Sequence, residues 1–153
     1  MPISTMIKKP MKYGILNDTD LLGRYTHVLK VSEVFNNLSG KFVSRDAAGL
    51  ADVSIAGDTE ILGWANTHAH TVAAGESVEI YNDIRARFLV PVSGTYAQTM
   101  RGKTCDLVVA ANIQSANVAA SATDVICVYD GDATLAIAEV GLNPLKMYIT
   151  GVV

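Results

Sequence analysis

Two histidines, His68 and His70, come nearest to a chemical site in this sequence. Side chains two positions apart lie on the same face of a β-strand, so both imidazoles are placed to bind one metal ion. The candidates for a third ligand are Asp58, Glu60, Glu76 and His27. None of these stands at a recognisable metal-ligand spacing from the pair. A polar loop between two strands is the simpler interpretation, and we predict no metal site.

Motifs for other chemistry do not occur in the sequence. No Gly-x-Ser-x-Gly elbow for a catalytic serine and no glycine-rich phosphate-binding loop is present. Cys105 and Cys127 lie in apolar, strand-like runs, which favours reduced core residues over a nucleophile or a disulfide. We therefore predict that the protein is not an enzyme and uses no cofactor.

Arg85 and Arg87 are followed by Phe88, a mixture of basic and aromatic residues that can bind single-stranded nucleic acid. Acidic residues interrupt this region and the net charge of the chain is −3, so we expect no direct nucleic-acid partner. Ion pairs with another subunit explain the arginines as well. Trp64 follows a strong β run, and we expect it to anchor the core or, as the second interpretation, a subunit interface.

The first twelve residues differ in charge from the rest. They contain Lys8, Lys9, Lys12 and no acid, so they carry +3 on a body of −6. Two prolines favour extended chain, and we predict an N-terminal arm over residues 1–12. The residues of this arm expected to bind a partner are Ile3, Met6, Ile7, Lys8, Lys9 and Met11. No run of 18 apolar residues and no signal-peptide pattern occurs, so we expect no membrane partner. The two cysteines do not form a disulfide framework, which favours a reducing compartment.

Residues 13–153 are predicted to form one β domain. Short apolar runs alternate with turn signals, and Val78 and Ile80 alternate with polar residues at the period of a half-buried strand. Val53 and Ile55 alternate in the same way. Such runs predict an all-β fold, a single-domain β-sandwich or β-barrel of short antiparallel strands with the extended N-terminal arm.

Four finer predictions concern the strands and the links between them. We expect residues 77–81 and 85–92 to form a β-hairpin joined by Asn82 and Asp83. Pro91 is expected at a sheet edge or strand end, because it lacks an N–H. Asp130-Gly131-Asp132 predicts a turn. The Ala-rich residues 110–122 leave a short helix open.

The middle of the chain carries an ordered series of small and apolar residues. It consists of Gly40–Val43, Ala51–Ile55, Ile61–Ala65 and Ala74–Ile80. This series resembles the decoration, or cement, proteins of tailed bacteriophage capsids over about residues 40–92, roughly a third of the chain. Those proteins show a Gly-initiated strand, an Ala-Val strand, an Ile-Gly-x-Ala strand with an apolar x, and an Ala-Gly-Glu-x-Val-x-Val strand. This sequence departs from the pattern at Trp64, where Val is more usual, and in its long C-terminal portion.

The resemblance implies a structural virion protein on the outside of an icosahedral capsid. Its partners would be the major capsid protein and two further copies of itself, in a trimer that resists the pressure of packaged DNA. It would be made in the host cytoplasm and carry no catalytic residue. Two alternatives stay open: another virion component, such as a tail, spike or tube part, and a β domain that binds a small ligand or sugar.

Overall fold

The computed structural model describes residues 14–16, 23–36 and 40–148 and confirms the prediction of an all-β domain. The described part also contains two single-turn 3₁₀ helices, Gln98–Met100 and Pro144–Lys146. In chain order, the strands are β1 (Gly14–Ile15), β2 (Arg24–Val28), β3 (Val34–Phe35), β4 (Lys41–Arg45), β5 (Ala51–Val53), β6 (Gly63–Ala65), β7 (His70–Thr71), β8 (Ser77–Tyr81), β9 (Phe88–Ser93), β10 (Thr104–Ala110), β11 (Ile113–Asn117), β12 (Ile126–Asp132) and β13 (Ile137–Leu142). The predicted N-terminal arm lies outside the described residues.

The first half of the chain forms one five-stranded sheet, here called the N-terminal sheet. Its strand order is β2-β8-β6-β4-β5, and all of its ladders are antiparallel. A parallel bridge between Leu29, just after β2, and Ala51 of β5 brings the two ends of the sheet together. Strands β3 and β7 form a separate two-stranded ribbon. On β8, Val78 and Ile80 are buried while Ser77 and Glu79 are exposed, as the alternation predicts.

The second half forms a closed β-barrel, here called the C-terminal barrel. Its five strands follow the order β9-β11-β10-β12-β13, and a further pairing of β13 with β9 closes it. The pairing of β11 with β9 is parallel, which corrects the expectation of purely antiparallel strands. Closure removes the free strand edges on which uncontrolled pairing would occur.

The N-terminal sheet and the C-terminal barrel share one core. Phe42 and Trp64 project from the sheet and pack on Phe88 of the barrel, with ring centroids 4.8 to 5.2 Å apart. Val43 and Ala65, the next residues on the same strands, point the opposite way into a second apolar cluster. Strands β4 and β6 are therefore buried on both faces, which is why Phe42-Val43 and Trp64-Ala65 are apolar at consecutive positions.

The predicted hairpin of residues 77–81 and 85–92 does not form. Strand β8 pairs with β2 and β6 in the sheet, whereas β9 pairs with β1, β11 and β13 in the barrel. The link between them turns on Asp83, whose carboxylate accepts hydrogen bonds from the backbone N–H groups of Gly23 and Arg85, both at 2.8 Å. This turn sends the chain from one layer to the other.

Pro91 lies inside β9, at a local edge of that strand. On one side of β9, Leu89 is the last residue paired with β1, and Val92 is the first residue paired with β11. Pro91 occupies the gap between these two partners and pairs on the other side with Ile137. A missing N–H costs little at such a position.

Asp130-Gly131-Asp132 does not form the predicted turn, because all three residues belong to β12. Gly131 is needed for close packing: a Cβ there would lie 2.6 Å from the ring of Tyr96. Asp132 does help the turn that follows, since its carboxylate accepts from the N–H groups of Thr134 and Leu135.

Two further local predictions are resolved by the strand bounds. The Ala-rich region contains strand β11 rather than a helix. The alternation at Val53 and Ile55 ends early, because β5 stops at Val53. Ile55 is then exposed, whereas Ser54 is buried and lies 2.6 Å from the hydroxyl of Ser44.

Candidate functional site

A charged cleft of about 360 Å³ lies where the N-terminal sheet meets the β10–β11 hairpin of the C-terminal barrel. The hairpin contributes Val109 and Asn112, and the segment before β3 contributes the opposite wall. The residues lining the cleft are Lys30, Ser32, Glu33, Val34, Lys41, Asp52, Val53, Ile55, Asp58, Val109 and Asn112. The volume falls at the lower end of small-ligand sites, which commonly enclose about 300–1,000 Å³.

Lys41 is the least expected residue in this cleft, because its side chain is only 2% exposed. Its ammonium donates one hydrogen bond, to the carbonyl oxygen of Val34 at 2.7 Å. Among the described residues, this group has no other hydrogen bond and no carboxylate within ion-pair distance. Burial lowers the pKa of Lys41, and the nearby Glu33 raises it in part. An ammonium has three N–H donors, so this charge is incompletely satisfied by the protein.

A carboxyl pair, Glu33 and Asp52, faces Lys30 in the same cleft. The Lys30 ammonium lies 2.8 Å from the Asp52 carboxylate and 3.9 Å from that of Glu33. Burial, followed by interaction with Asp52, raises the pKa of Glu33 to about 7. Two carboxyls at close range disfavour double ionisation, so Glu33 is partly protonated at neutral pH. The cleft thus combines a desolvated ammonium with a carboxyl that titrates near neutrality.

The backbone around the cleft is held in place from both layers. Ser32 adopts a positive φ of 70° in the turn before β3, and its N–H donates to Val72 O at 2.9 Å. On the barrel side, Asn112 has a φ of 62° in the β10–β11 turn, and its carbonyl accepts from the Asn36 side chain at 2.8 Å. Positive φ values at non-glycine residues are uncommon and depend on such support.

Gln114 joins the two layers beside the cleft. Its buried amide accepts a hydrogen bond from Phe42 N and donates to Phe42 O and Ser54 O, each at 2.8 Å. The side chain therefore continues the backbone pairing of β4 from a strand of the barrel. This contact fixes the wall containing Asn112 relative to the wall containing Lys41.

His68 and His70 lie close together, with stacked rings 4.4 Å apart. His70 contacts the carboxylate of Glu76 and stacks on Phe35, so it ties β7 to its surroundings. A backbone hydrogen bond with His68, and then the interaction with Glu76, raise the pKa of His70. Among residues 14–16, 23–36 and 40–148, no group of three or more His, Cys, Asp or Glu side chains is placed to hold a metal ion.

The remaining predicted interface residues fall in different environments. Trp64 is 2% exposed and lies in the shared core, in agreement with its first interpretation, so its side chain presents no surface to a partner. Arg85 is exposed and paired with Asp83 of its own chain at 2.6 Å. The Arg87 guanidinium stacks 3.6 Å from the ring centroid of Tyr129. The burial of Trp64 therefore separates it from any surface that Arg85 and Arg87 present.

The predicted contact residues of the arm, from Ile3 to Met11, lie outside the described residues.

Cys105 and Cys127 are both free thiols. Cys105 is buried, and burial raises its pKa to about 12, so it is inert as a nucleophile near neutral pH.

No protein-family model matches the chain, and no curated protein matches it in sequence. In the described part of the chain, no helix is long and apolar enough to cross a membrane.

Apart from Asp58, a candidate metal ligand, the residues of the cleft were not singled out from the sequence as site residues. Lys41 directly precedes Phe42 and Val43, and Asp52 alternates with Val53. The alternation places the Asp52 side chain away from the core but does not reveal what faces it. A lysine directly before two large apolar residues, as in Lys41-Phe42-Val43, was the available signal for a desolvated charge.

Proposed function

We propose that this chain is a structural virion protein that decorates the outside of an icosahedral phage capsid and stabilises it by binding the major capsid protein. The proposal rests on the resemblance of residues 40–92 to capsid decoration proteins. One observation carries it further: the four segments of that resemblance contribute β4, β5, β6 and β8, which lie together in the N-terminal sheet. A series that folds into one unit is the arrangement expected of a shared module rather than of scattered coincidences.

Exposed apolar side chains support a role in assembly. Nine large apolar residues of the described part are more than a third exposed: Leu16, Val28, Val31, Val34, Ile55, Ile84, Ile113, Leu135 and Leu145. Single exposed apolar residues are common on soluble proteins. Leu145, however, is 90% exposed on a 3₁₀ turn, where a partner surface would bury it. Repeated copies on a lattice require only modest contacts each, because their effects add through multivalency.

The proposed partners are the major capsid protein and sister copies in a trimer. In this proposal residues 1–12 bind the capsid: Ile3, Ile7 and Met11 are buried on binding, and Lys8 and Lys9 meet acidic capsid groups. A segment that orders on binding can cover a large surface at an entropic cost. Deleting residues 1–12 is then expected to weaken capsid binding without lowering the melting temperature of the free protein.

The test uses the purified full-length chain and undecorated capsids of the virus that encodes it. We expect light scattering to give the mass of a trimer and sedimentation to show saturable binding to the capsids. Decorated capsids should release their DNA at a higher temperature than undecorated ones. Failure to sediment with the capsids at any concentration tested would refute the proposal. Binding to isolated tails instead would favour the alternative of a tail or spike component.

The charged cleft favours a second candidate function, the binding of a small ligand. It combines a cleft of about 360 Å³ with polar groups that converge from two layers, which is the usual composition of a ligand site. This function is compatible with capsid decoration through Leu145, which does not line the cleft, whereas Val34 and Ile55 are both exposed apolar residues and part of the cleft lining.

A further inference from the structure

The charged cleft contains two complementary charged groups that the protein leaves incompletely compensated. One is the ammonium of Lys41, a residue that is 2% exposed; this ammonium has one hydrogen bond within the described part of the chain. The other is the Glu33–Asp52 carboxyl pair, to which a single ammonium, that of Lys30, lies within 4.0 Å among the described residues. A buried charge such as that of Lys41 is normally paired and fully hydrogen-bonded, because its desolvation is unfavourable. The carboxyl pair is partly buried, with the Glu33 and Asp52 side chains 20% and 27% exposed.

A ligand that satisfies both groups must carry both charges. A carboxylate would supply acceptors for the remaining N–H groups of Lys41, and the bond would be charge-assisted. An ammonium would take the place of the proton held by Glu33 and would neutralise the second carboxylate of the pair. An anion without an ammonium would be repelled by Asp52 and Asp58, which also line the cleft. A cation without a carboxylate would be repelled by Lys30 and Lys41.

We propose that the charged cleft binds a small zwitterion of the amino-acid type, with its carboxylate on Lys41 and its ammonium on Glu33 and Asp52. Val34, Ile55 and Val109 line the same cleft and supply apolar contacts for a short aliphatic portion. The side chains of Ser32 and Asn112 provide further hydrogen-bonding groups. The volume of about 360 Å³ suits a ligand of this size rather than a polymer.

This inference is argued separately from capsid decoration, because residues 1–12 enter only the decoration proposal and Leu145 is not among the described residues that line the charged cleft. A chain that binds capsids and no zwitterion would refute only this inference. A chain that binds a zwitterion and no capsid would refute only the function proposed above.

The experiment is calorimetric titration of the full-length chain with L-alanine, β-alanine, γ-aminobutyrate and 6-aminohexanoate, a series of zwitterions with increasing charge separation. Acetate and methylammonium serve as probes that carry one charge each. We expect at least one zwitterion to bind the chain saturably. Acetate and methylammonium should bind the chain at least about tenfold more weakly, because each lacks one of the two charged contacts. Methyl resonances of Val34, Ile55 and Val109 should shift on binding.

Two variants test which residues of the cleft contact the ligand. Lys41→Met keeps the length of the side chain and removes its charge, and Glu33→Gln keeps the shape of the carboxyl. Each is expected to weaken zwitterion binding at least about tenfold, whereas Lys103→Met, on an exposed lysine of the barrel, is the matched control and should leave it unchanged. Circular dichroism checks that each variant is folded, and Glu33→Gln stands as the decisive variant if Lys41→Met fails to fold.

Three results would overturn the inference. The first is that no zwitterion of the series saturates the chain below about 10 mM, where binding is weaker than about 3 kcal/mol. The second is that acetate binds as tightly as the zwitterions, which would leave the carboxyl pair without a role. The third is that folded Glu33→Gln binds as the parent does.

Discussion

Replacing Gln114 with Leu is expected to weaken the attachment of the N-terminal sheet to the C-terminal barrel. The substitution preserves most of the buried volume and removes three hydrogen bonds of 2.8 Å to Phe42 N, Phe42 O and Ser54 O. Phe42 O retains a bond from Ser54 N at 3.0 Å, so the other two backbone groups bear most of the loss.

The magnitude follows from these contacts. Each hydrogen bond contributes about 1 kcal/mol net, and a buried group left without a partner costs about 1–3 kcal/mol. We therefore expect the free energy of unfolding to fall by about 3–5 kcal/mol, an effect large for a single substitution. Gln114→Glu should be at least as destabilising, because a carboxylate would face the carbonyl oxygens of Phe42 and Ser54.

Urea denaturation followed by tryptophan fluorescence measures this change, since Trp64 lies in the shared core. The matched control is Gln98→Leu, at an exposed glutamine that begins the 3₁₀ helix Gln98–Met100, and it is expected to change stability by no more than about 0.5 kcal/mol. A loss below about 1 kcal/mol for Gln114→Leu, with an unchanged denaturant dependence, would refute the bridging role of this amide.

Three further predictions test the packing and the titratable groups. Gly131→Ala should destabilise the chain by about 1–3 kcal/mol through overpacking, whereas Gly57→Ala, where a Cβ meets no atom within 4 Å, should not, as chemical denaturation would reveal. The pKa of Glu33 is raised from 4.5 to about 7, so the stability that its protonated form contributes is present at low pH and is lost as the pH rises through this window. Between pH 5 and 7 the parent should therefore lose roughly 1–3 kcal/mol of stability relative to Glu33→Gln. In NMR titration, His70 should titrate above its ordinary pKa of 6.5, and Glu76→Gln should lower that pKa; no change would show that the contact with Glu76 is not maintained in solution.

Local patterns in the sequence predicted the elements that depend on neighbouring residues. The alternation of Val78 and Ile80 with Ser77 and Glu79 identifies β8 and its buried face, because the period of two is a property of one strand. The chain also turns where Asn82 and Asp83 predict it. It does not specify which strands pair, and the two runs that it connects enter different layers.

The charged cleft depends on contacts that no local pattern contains. Lys30 and Asp52 are 22 positions apart, and Gln114 contacts Phe42 across 72 positions. Gly131 shows the same limit on a smaller scale: the sequence signal for a turn came from a glycine whose role is to accommodate the ring of Tyr96. The role of such residues depends on the tertiary contacts that the fold gives them.

The central claim, that this chain decorates a capsid, is tested most directly by quantifying it in purified virions of the virus that encodes it. Mass spectrometry with isotope-labelled peptides of this chain and of the major capsid protein would give the ratio of the two. Capsid decoration predicts many copies per virion, in a fixed proportion to the major capsid protein, which are lost together with the capsid fraction when virions are dissected. Absence from virions, or a few copies that follow the tail fraction, would contradict the claim.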